Sequence, residues 1–383
     1  MIKMTSRERL ATAARGEEPD RVPVVVPLSL GWAWGQLYGP DSFMEFGCDA
    51  KKMAKVMVWS CKELGMDATP GGADTHMYFE AIAEASGISY PTTNWKDFVT
   101  SHPHRLFEGD PLTAPLYGDP LVKTMKDARK LVPADPYKHG KLPIVLEAQQ
   151  LAKRELKDGW GISGSINRPY GIAGDLMGYA QAFMAMEKDL ELWKTVEDVA
   201  IKTSYEFAKA QIKAGVTSLG TTASLACFVG SKMFLEKPVW VHAEHPPELM
   251  ERVFKEFHVG TVLHPCSVGP FEPGIEAWKK WLDHTPGFLM PECGGADALA
   301  RAKEQLAPAV MQGNIHSVDI MLHGTPGEVE AACKELIKKC APGGRYVLAP
   351  GCALPLGVPM ENVKAMRDSV EKYGQYPIKV KEL

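Results

Sequence analysis

The sequence predicts a single (β/α)8 barrel, and three observations carry that reading. Short apolar runs alternate with amphipathic helical stretches along most of the 383 residues, the pattern of a parallel sheet built from βα units. Seven or eight such units are present, which suits a closed barrel better than a doubly wound sheet. The chain is longer than the roughly 100–200 residues of an ordinary domain, but α/β barrels extend further as one unit. No stretch has the composition of an interdomain linker, so the expected organisation is one domain over 1–383.

Residues 5–15 read as a helix, and RVPVVVPLSL (21–30) as a buried strand. In 50–64, Met53, Val56, Met57 and Leu64 fall at helical spacing. Further helices are expected at 188–213, 246–257, 296–306, 325–340 and 359–373. The strand candidates between them are Leu142–Leu146, Ser218–Leu219, Thr261–His264, Gly287–Met290, Ala309–Gln312 and Tyr346–Ala349. Two helix starts are clearly signalled. Thr325 stands at the N-cap with Pro326 in the first position and Glu328 three residues on, and Pro359 opens another helix. Residues 90–140, irregular and rich in Pro, His and charge, read as an inserted lid-like segment.

Composition removes several function classes. With 43 Lys+Arg against 47 Asp+Glu, the net charge of -4 gives no electrostatic case for nucleic acid or an anionic membrane. The start is charged and lacks a secretory apolar stretch, and the uncharged run Ala214 to Ser231 is broken by Gly, Ser and Thr. Eight scattered cysteines then read as reduced thiols, and the expected location is the cytoplasm. There is no phosphate-binding G-x-x-x-x-G-K-[ST] loop, no G-x-G-x-x-G after a strand, no G-x-S-x-G elbow and no H-E-x-x-H.

The sharpest chemical signal is Gly260-Thr-Val-Leu-His264-Pro-Cys266. The two-residue period of a strand puts His264 and Cys266 on one side. They also stand at the strand's C-terminal end, where barrel enzymes carry their sites. Cys352 follows another apolar strand in Tyr346-Val-Leu-Ala-Pro-Gly351-Cys352. One imidazole and two thiolates leave zinc a fourth, open position, the usual catalytic arrangement. An H-x-C spacing alone is a weak signal; the second strand-end cysteine strengthens it. Cys333 and Cys340 share a helix face with Val329, Leu336 and Ile337 and read as core, as does Cys61. Asp74, Glu147 and Glu292 are candidates for acid–base work, each with a bland alternative as a cap or an ion-pair partner. His242-Ala-Glu244-His245 has a metal-like composition but ranks below the first set, because Pro246-Pro247 follow at once. Trp32, Trp34 and Tyr38 cluster after the first strand, and Tyr78 lies further on. They would either pack or form a wall for a flat substrate.

Four segments resemble the uroporphyrinogen decarboxylase superfamily: RERLATAARGEEPDRVPVV, the LHPC strand end, Gly313-Asn314 through Val329, and Pro350 to Met366. The similarity is greatest to its zinc-dependent corrinoid methyltransferase branch and spans about residues 5–375. It implies a (β/α)8 barrel, zinc on His264, Cys266 and Cys352, a corrinoid carried by a partner protein, and Asn314 among the substrate-binding residues. Two departures separate the chain from the porphyrin decarboxylases. PLSLGWAWGQLYG lacks the arginine that would hold propionates, and Cys352 stands where the decarboxylase has His. Asp74 matches the decarboxylase's key aspartate, and Ser267 replaces the usual Gly after Cys266. The implied reaction moves a methyl group from a methoxy donor, aromatic by the Trp32–Tyr38 cluster, to the corrinoid's Co(I). The alternative is methyl transfer from a methylcobamide to a thiol of the coenzyme M type. A decarboxylase and a non-catalytic ligand-binding barrel are weaker readings, and a homodimer is an open expectation.

Overall fold

The computed structural model describes residues 3–39, 42, 45–71, 77–89, 120–223, 225–266, 274–283, 287–291 and 294–383. Six parallel strands follow one another in sequence order: β1 (Ser163–Ser165), β2 (Ser218–Ala223), β3 (Gly260–Pro265), β4 (Phe288–Leu289), β5 (Val310–Gln312) and β6 (Tyr346–Val347). Two shorter segments close the ring. Leu348 pairs with Val24, and Ala68 with Gly161, both in parallel. The Asp67 N–H donates to the Val24 carbonyl at 2.8 Å, joining the two segments to each other. The result is eight strand positions in a closed parallel ring, with helices outside. This is the barrel expected from the sequence, and closure leaves no sheet edge exposed.

The helix Ser6–Ala14 starts at a capping box between Thr5 and Glu8 and lies across the N-terminal end of the barrel. There Leu10 and Ala13 join the small inner cluster of Val25, Ala68, Phe288, Val310, Val347 and Ala349. Its Arg9 is buried and bonds Asp20 at 2.7 Å and Asp67 at 2.6 Å, while Arg21 reaches Asp67 at 2.9 Å. The larger core lies between the strand ring and its helices and contains Trp193, Phe207, Leu336 and Val363. Cys61, Cys333 and Cys340 are buried there as core thiols. No helix among the described residues is long and apolar enough to cross a membrane.

Two element readings are corrected. Leu142–Leu146 is the start of the helix Leu142–Leu156, not a strand. Leu142, Val145, Leu146, Gln149, Ala152 and Leu156 are buried at helical spacing, and this face packs on the helix Ala50–Lys62. The run 21–30 contributes two isolated pairings, Val24 parallel to Leu348 and Arg21 antiparallel to Gln375, before the helix Leu30–Tyr38 begins. Of the proposed insertion, 90–119 lies outside the described residues. Residues 120–140 are irregular apart from the helix Met125–Ala128, and they bury Val122, Ala128, Leu131 and Ala134 against the body.

Candidate metal centre

His264 is the penultimate residue of β3, Cys266 follows directly, and Cys352 stands five residues beyond β6. The parallel sheet points both strands the same way, so their C-terminal ends meet on one face of the barrel. The ligand atoms of the three residues all lie within 4.8 Å of one another. His264 Nε2 is 3.4 Å from Cys352 Sγ. Two donors bound to tetrahedral zinc, at about 2.0–2.1 Å for N and about 2.3 Å for S, stand roughly 3.6 Å apart. The donor set therefore fits zinc in both chemistry and spacing.

The surroundings aim these donors. His264 Nδ1 lies 2.7 Å from the Met290 carbonyl, which fixes Nδ1 as the protonated nitrogen and turns Nε2 towards the thiols. The Cys352 backbone N–H donates to Ser317 Oγ at 3.2 Å, and that hydroxyl donates back to the Cys352 carbonyl at 3.2 Å. Asn314 is buried beside Gly351, close enough that a Cβ on the glycine would meet it at 3.6 Å. Without a cation the Cys266 thiol is pushed far above its ordinary range. The hydrogen bond it shares with Cys352 is the main cause, burial adds to it, and His264 pulls the other way. A divalent cation would take the place of that proton.

The other candidates are placed differently. Trp32 and Trp34 are fully buried and satisfied: Trp32 donates to the Val358 carbonyl at 3.0 Å, and Trp34 to Ser42 Oγ at 2.9 Å. Tyr38 packs its ring on Trp34 at 4.9 Å, under the ammonium groups of Lys52 and Lys55. Of the two readings left open for them, packing describes the indoles of Trp32 and Trp34, while Tyr38 is half-buried at the end of the helix Leu30–Tyr38. Tyr78 is likewise buried, its hydroxyl accepting from the Asn167 N–H at 3.2 Å. Glu147 is exposed in the middle of the helix Leu142–Leu156, so its strand-end placement is corrected too. Asp74 and Glu292 lie outside the described residues. The lower-ranked His242–His245 set splits three ways: His242 bonds Glu197 and Glu248, Glu244 pairs with Arg168, and His245 stacks on Trp281. Met290 and Ser317 were not singled out by sequence. Met290 acts through a backbone atom that any residue provides, whereas Ser317 lies inside the Gly313–Val329 motif and was in reach.

A cavity of about 300 Å3 runs along the barrel axis, from Leu10 of the N-terminal helix to His264.

Comparison with known proteins agrees with this architecture. The family model for uroporphyrinogen decarboxylase (URO-D) matches residues 106–373, well over half of the chain. The methylcobamide:CoM methyltransferase MtaA of Methanosarcina barkeri (strain Fusaro / DSM 804) is 24% identical over 97% of this chain and 99% of its own length. The uroporphyrinogen decarboxylase of Anaeromyxobacter dehalogenans (strain 2CP-C) is 23% identical over 96% of this chain and 99% of its own. A solved methyltransferase from Methanosarcina mazei superposes with a TM-score of 0.72 at 22% identity, covering 97% of this chain and 99% of that one.

Proposed function

This chain belongs to the uroporphyrinogen decarboxylase family, and from that premise we propose that it is a zinc-dependent methyltransferase working with a corrinoid on a partner protein. The observation that carries the proposal is the convergence of His264, Cys266 and Cys352 at the C-terminal end of the barrel. Porphyrin decarboxylation fits less well. The helix Leu30–Tyr38 offers no arginine for propionates, and a cysteine stands at 352.

Zinc bound to these residues would act as a Lewis acid, lowering the pKa of a thiol or stabilising an oxygen leaving group. The chain's own residues do the rest. Met290 holds His264 in the tautomer that leaves Nε2 free. Ser317 fixes the Cys352 backbone from both sides, which sets the separation of the two thiols. The barrel wall at Thr221, Met290 and Gln312 lines the cavity beside His264.

Methyl transfer to a thiol is the better supported direction. Relatives over nearly the full length are named methylcobamide:CoM methyltransferases, and the indoles that favoured an aromatic ether are packing residues. Methyl transfer from a methoxy donor to Co(I) is the second reading, favoured by a cavity wall that among the described residues carries one charged side chain, Arg7 at the far end.

The deciding experiment starts with metal analysis. Purified protein is expected to hold about one zinc, and His264→Ala or Cys352→Ala to lose it. The protein is then mixed with a methylcobamide and a panel of thiols, and separately with a Co(I) corrinoid and a panel of methoxyphenols, while the cobalt spectrum is followed. Loss of methyl-Co(III) with a thiol supports the first direction, and its formation from an ether supports the second. Metal-free protein with no spectral change in either arm would sink the proposal.

A further inference from the structure

The barrel interior is filled on one side only. Around β4 to β6 and the Val24 segment, the inward residues are Phe288, Val310, Val347 and Val25, which pack as in an ordinary barrel. Around β1 and β2 the inward residues are small. Ser163 and Ser218 are register partners facing the cavity, and Gly220 stands one inward position further along β2. Neither serine hydroxyl bonds another described residue. Glycine in a strand interior weakens the strand and often marks a place where a ligand comes close. Gly164 has a packing reason, because a Cβ there would meet Gln211 Oε1 at 2.5 Å. Gly220 has none: its Cβ would meet only the Gly164 carbonyl oxygen, at 3.7 Å. Space is therefore kept open along this wall, and the volume of about 300 Å3 reaches His264.

We infer that this axial cavity is the substrate pocket, and that it takes a small neutral molecule with its sulfur or oxygen at His264 and its body down the barrel. The naming of the occupant as substrate rests on the metal reading above. A dry cavity of about 150 Å3 holds benzene, so twice that volume admits a ring with one or two substituents, or a short-chain thiol. Val25, Val262 and Phe288 supply an apolar face, and Ser163 and Ser218 a pair of hydroxyls for one polar group. The only charged side chain among the described lining residues is Arg7, at the far end and already paired with Asp158. An anionic tail would lie in the barrel with no cation of its own.

The test is calorimetric binding to the zinc-loaded enzyme, with 2-methoxyphenol and 2-mercaptoethanol as neutral probes and coenzyme M as the anionic thiol. At least one neutral probe should bind more tightly than coenzyme M. Gly220→Val should weaken that probe at least tenfold while keeping zinc and a melting temperature no lower than the parent's. If the valine variant misfolds, Gly220→Ala, whose methyl the wall admits, should weaken it in the same direction. Unchanged affinity in a folded Gly220 variant, or tighter binding of coenzyme M than of either neutral probe, overturns the inference. If the protein proves zinc-free yet binds a neutral probe in a Gly220-sensitive way, the pocket stands and the metal reading falls.

Discussion

At the N-terminal end of the barrel, Arg9 and Arg21 close on Asp67 at 2.6 and 2.9 Å, and Arg9 also holds Asp20 at 2.7 Å. At the opposite end, His264, Cys266 and Cys352 bring their ligand atoms within 4.8 Å of one another, in an arrangement that a cation would fit. Both are polar clusters at the ends of an apolar ring, the lower one buried and the upper one only partly so, and they are satisfied differently. The lower one is complete within the chain, each charge neutralised by another, and it ties the N-terminal helix to two strand segments. The upper one is, on the reading proposed above, a set of donors for a metal. Stability should therefore depend on the lower end and chemistry on the upper, with few changes moving both.

The largest expected effect tests the upper end. Cys352→Ala should reduce bound zinc from about one to near zero and methyl transfer at least ~1,000-fold, a loss of about 4 kcal/mol of barrier lowering. Its melting temperature in the metal-free state should stay close to that of metal-free parent protein. A metal-free variant that unfolds far earlier than metal-free parent would show that Cys352 holds the fold together, and the contrast between the ends would collapse.

The lower end should answer in the opposite way. Asp67→Ala leaves Arg9 and Arg21 buried beside a lost partner, and breaking such a network costs about 3–5 kcal/mol. Denaturant unfolding should show that loss, while zinc content in the folded fraction remains near one. A drop in zinc without a drop in stability would mean that the two ends are coupled through the strands.

Trp32→Phe is a smaller and sharper probe, because the same residue was read from sequence as a substrate contact. The variant keeps an aromatic ring but removes the N–H that donates to the buried Val358 carbonyl at 3.0 Å, leaving it the longer contact from Gln36 Nε2 at 3.4 Å. The expected loss is about 1–2 kcal/mol of stability, with KM unchanged. A raised KM at unchanged stability would restore the aromatic wall.

How far the sequence disclosed these regions follows from how locally each is encoded. β2, β3 and β5, and the helices Leu190–Lys213, Met250–Phe257, Gly295–Gln305, Pro326–Cys340 and Met360–Tyr373, announced themselves because each pattern lies within one uninterrupted window, whereas the short helices Ser231–Leu235, Pro238–Glu244 and Ile275–Leu282 were not expected. The convergence of His264, Cys266 and Cys352 was legible because strand ends in a parallel barrel must meet on one face. The helix Leu142–Leu156 was misread because LPIVL is apolar and β-branched on its own, and its period shows only when Gln149, Ala152 and Leu156 are included. β1 is Ser-Gly-Ser and has no apolar signature at all. Its residues are small because they border the cavity, so the feature that hid the strand is the one that makes room for a ligand. Trp32 and Trp34 failed for another reason: nearness in sequence says nothing of which way an indole faces.

The smallest expected effect lies outside both ends and serves as their control. His242 joins Glu197 at 2.9 Å and Glu248 at 3.0 Å on the barrel's outer layer. Its pKa is raised to about 9, chiefly by the hydrogen bond to Glu197, with partial burial opposing and Glu248 adding to the rise. A raised value in the folded state means the protonated ring binds its carboxylates more tightly there than in the unfolded chain. That stabilisation is complete below the ordinary histidine value of about 6.5 and is lost as pH climbs through about 9. The melting temperature should therefore sag between these values, by less than the Trp32→Phe shift because the pair is partly solvated. His242→Gln should flatten this sag while leaving zinc content and the acid-side behaviour of the Arg9–Asp20–Asp67 network untouched. An undiminished sag in that variant would assign the alkaline loss to another group.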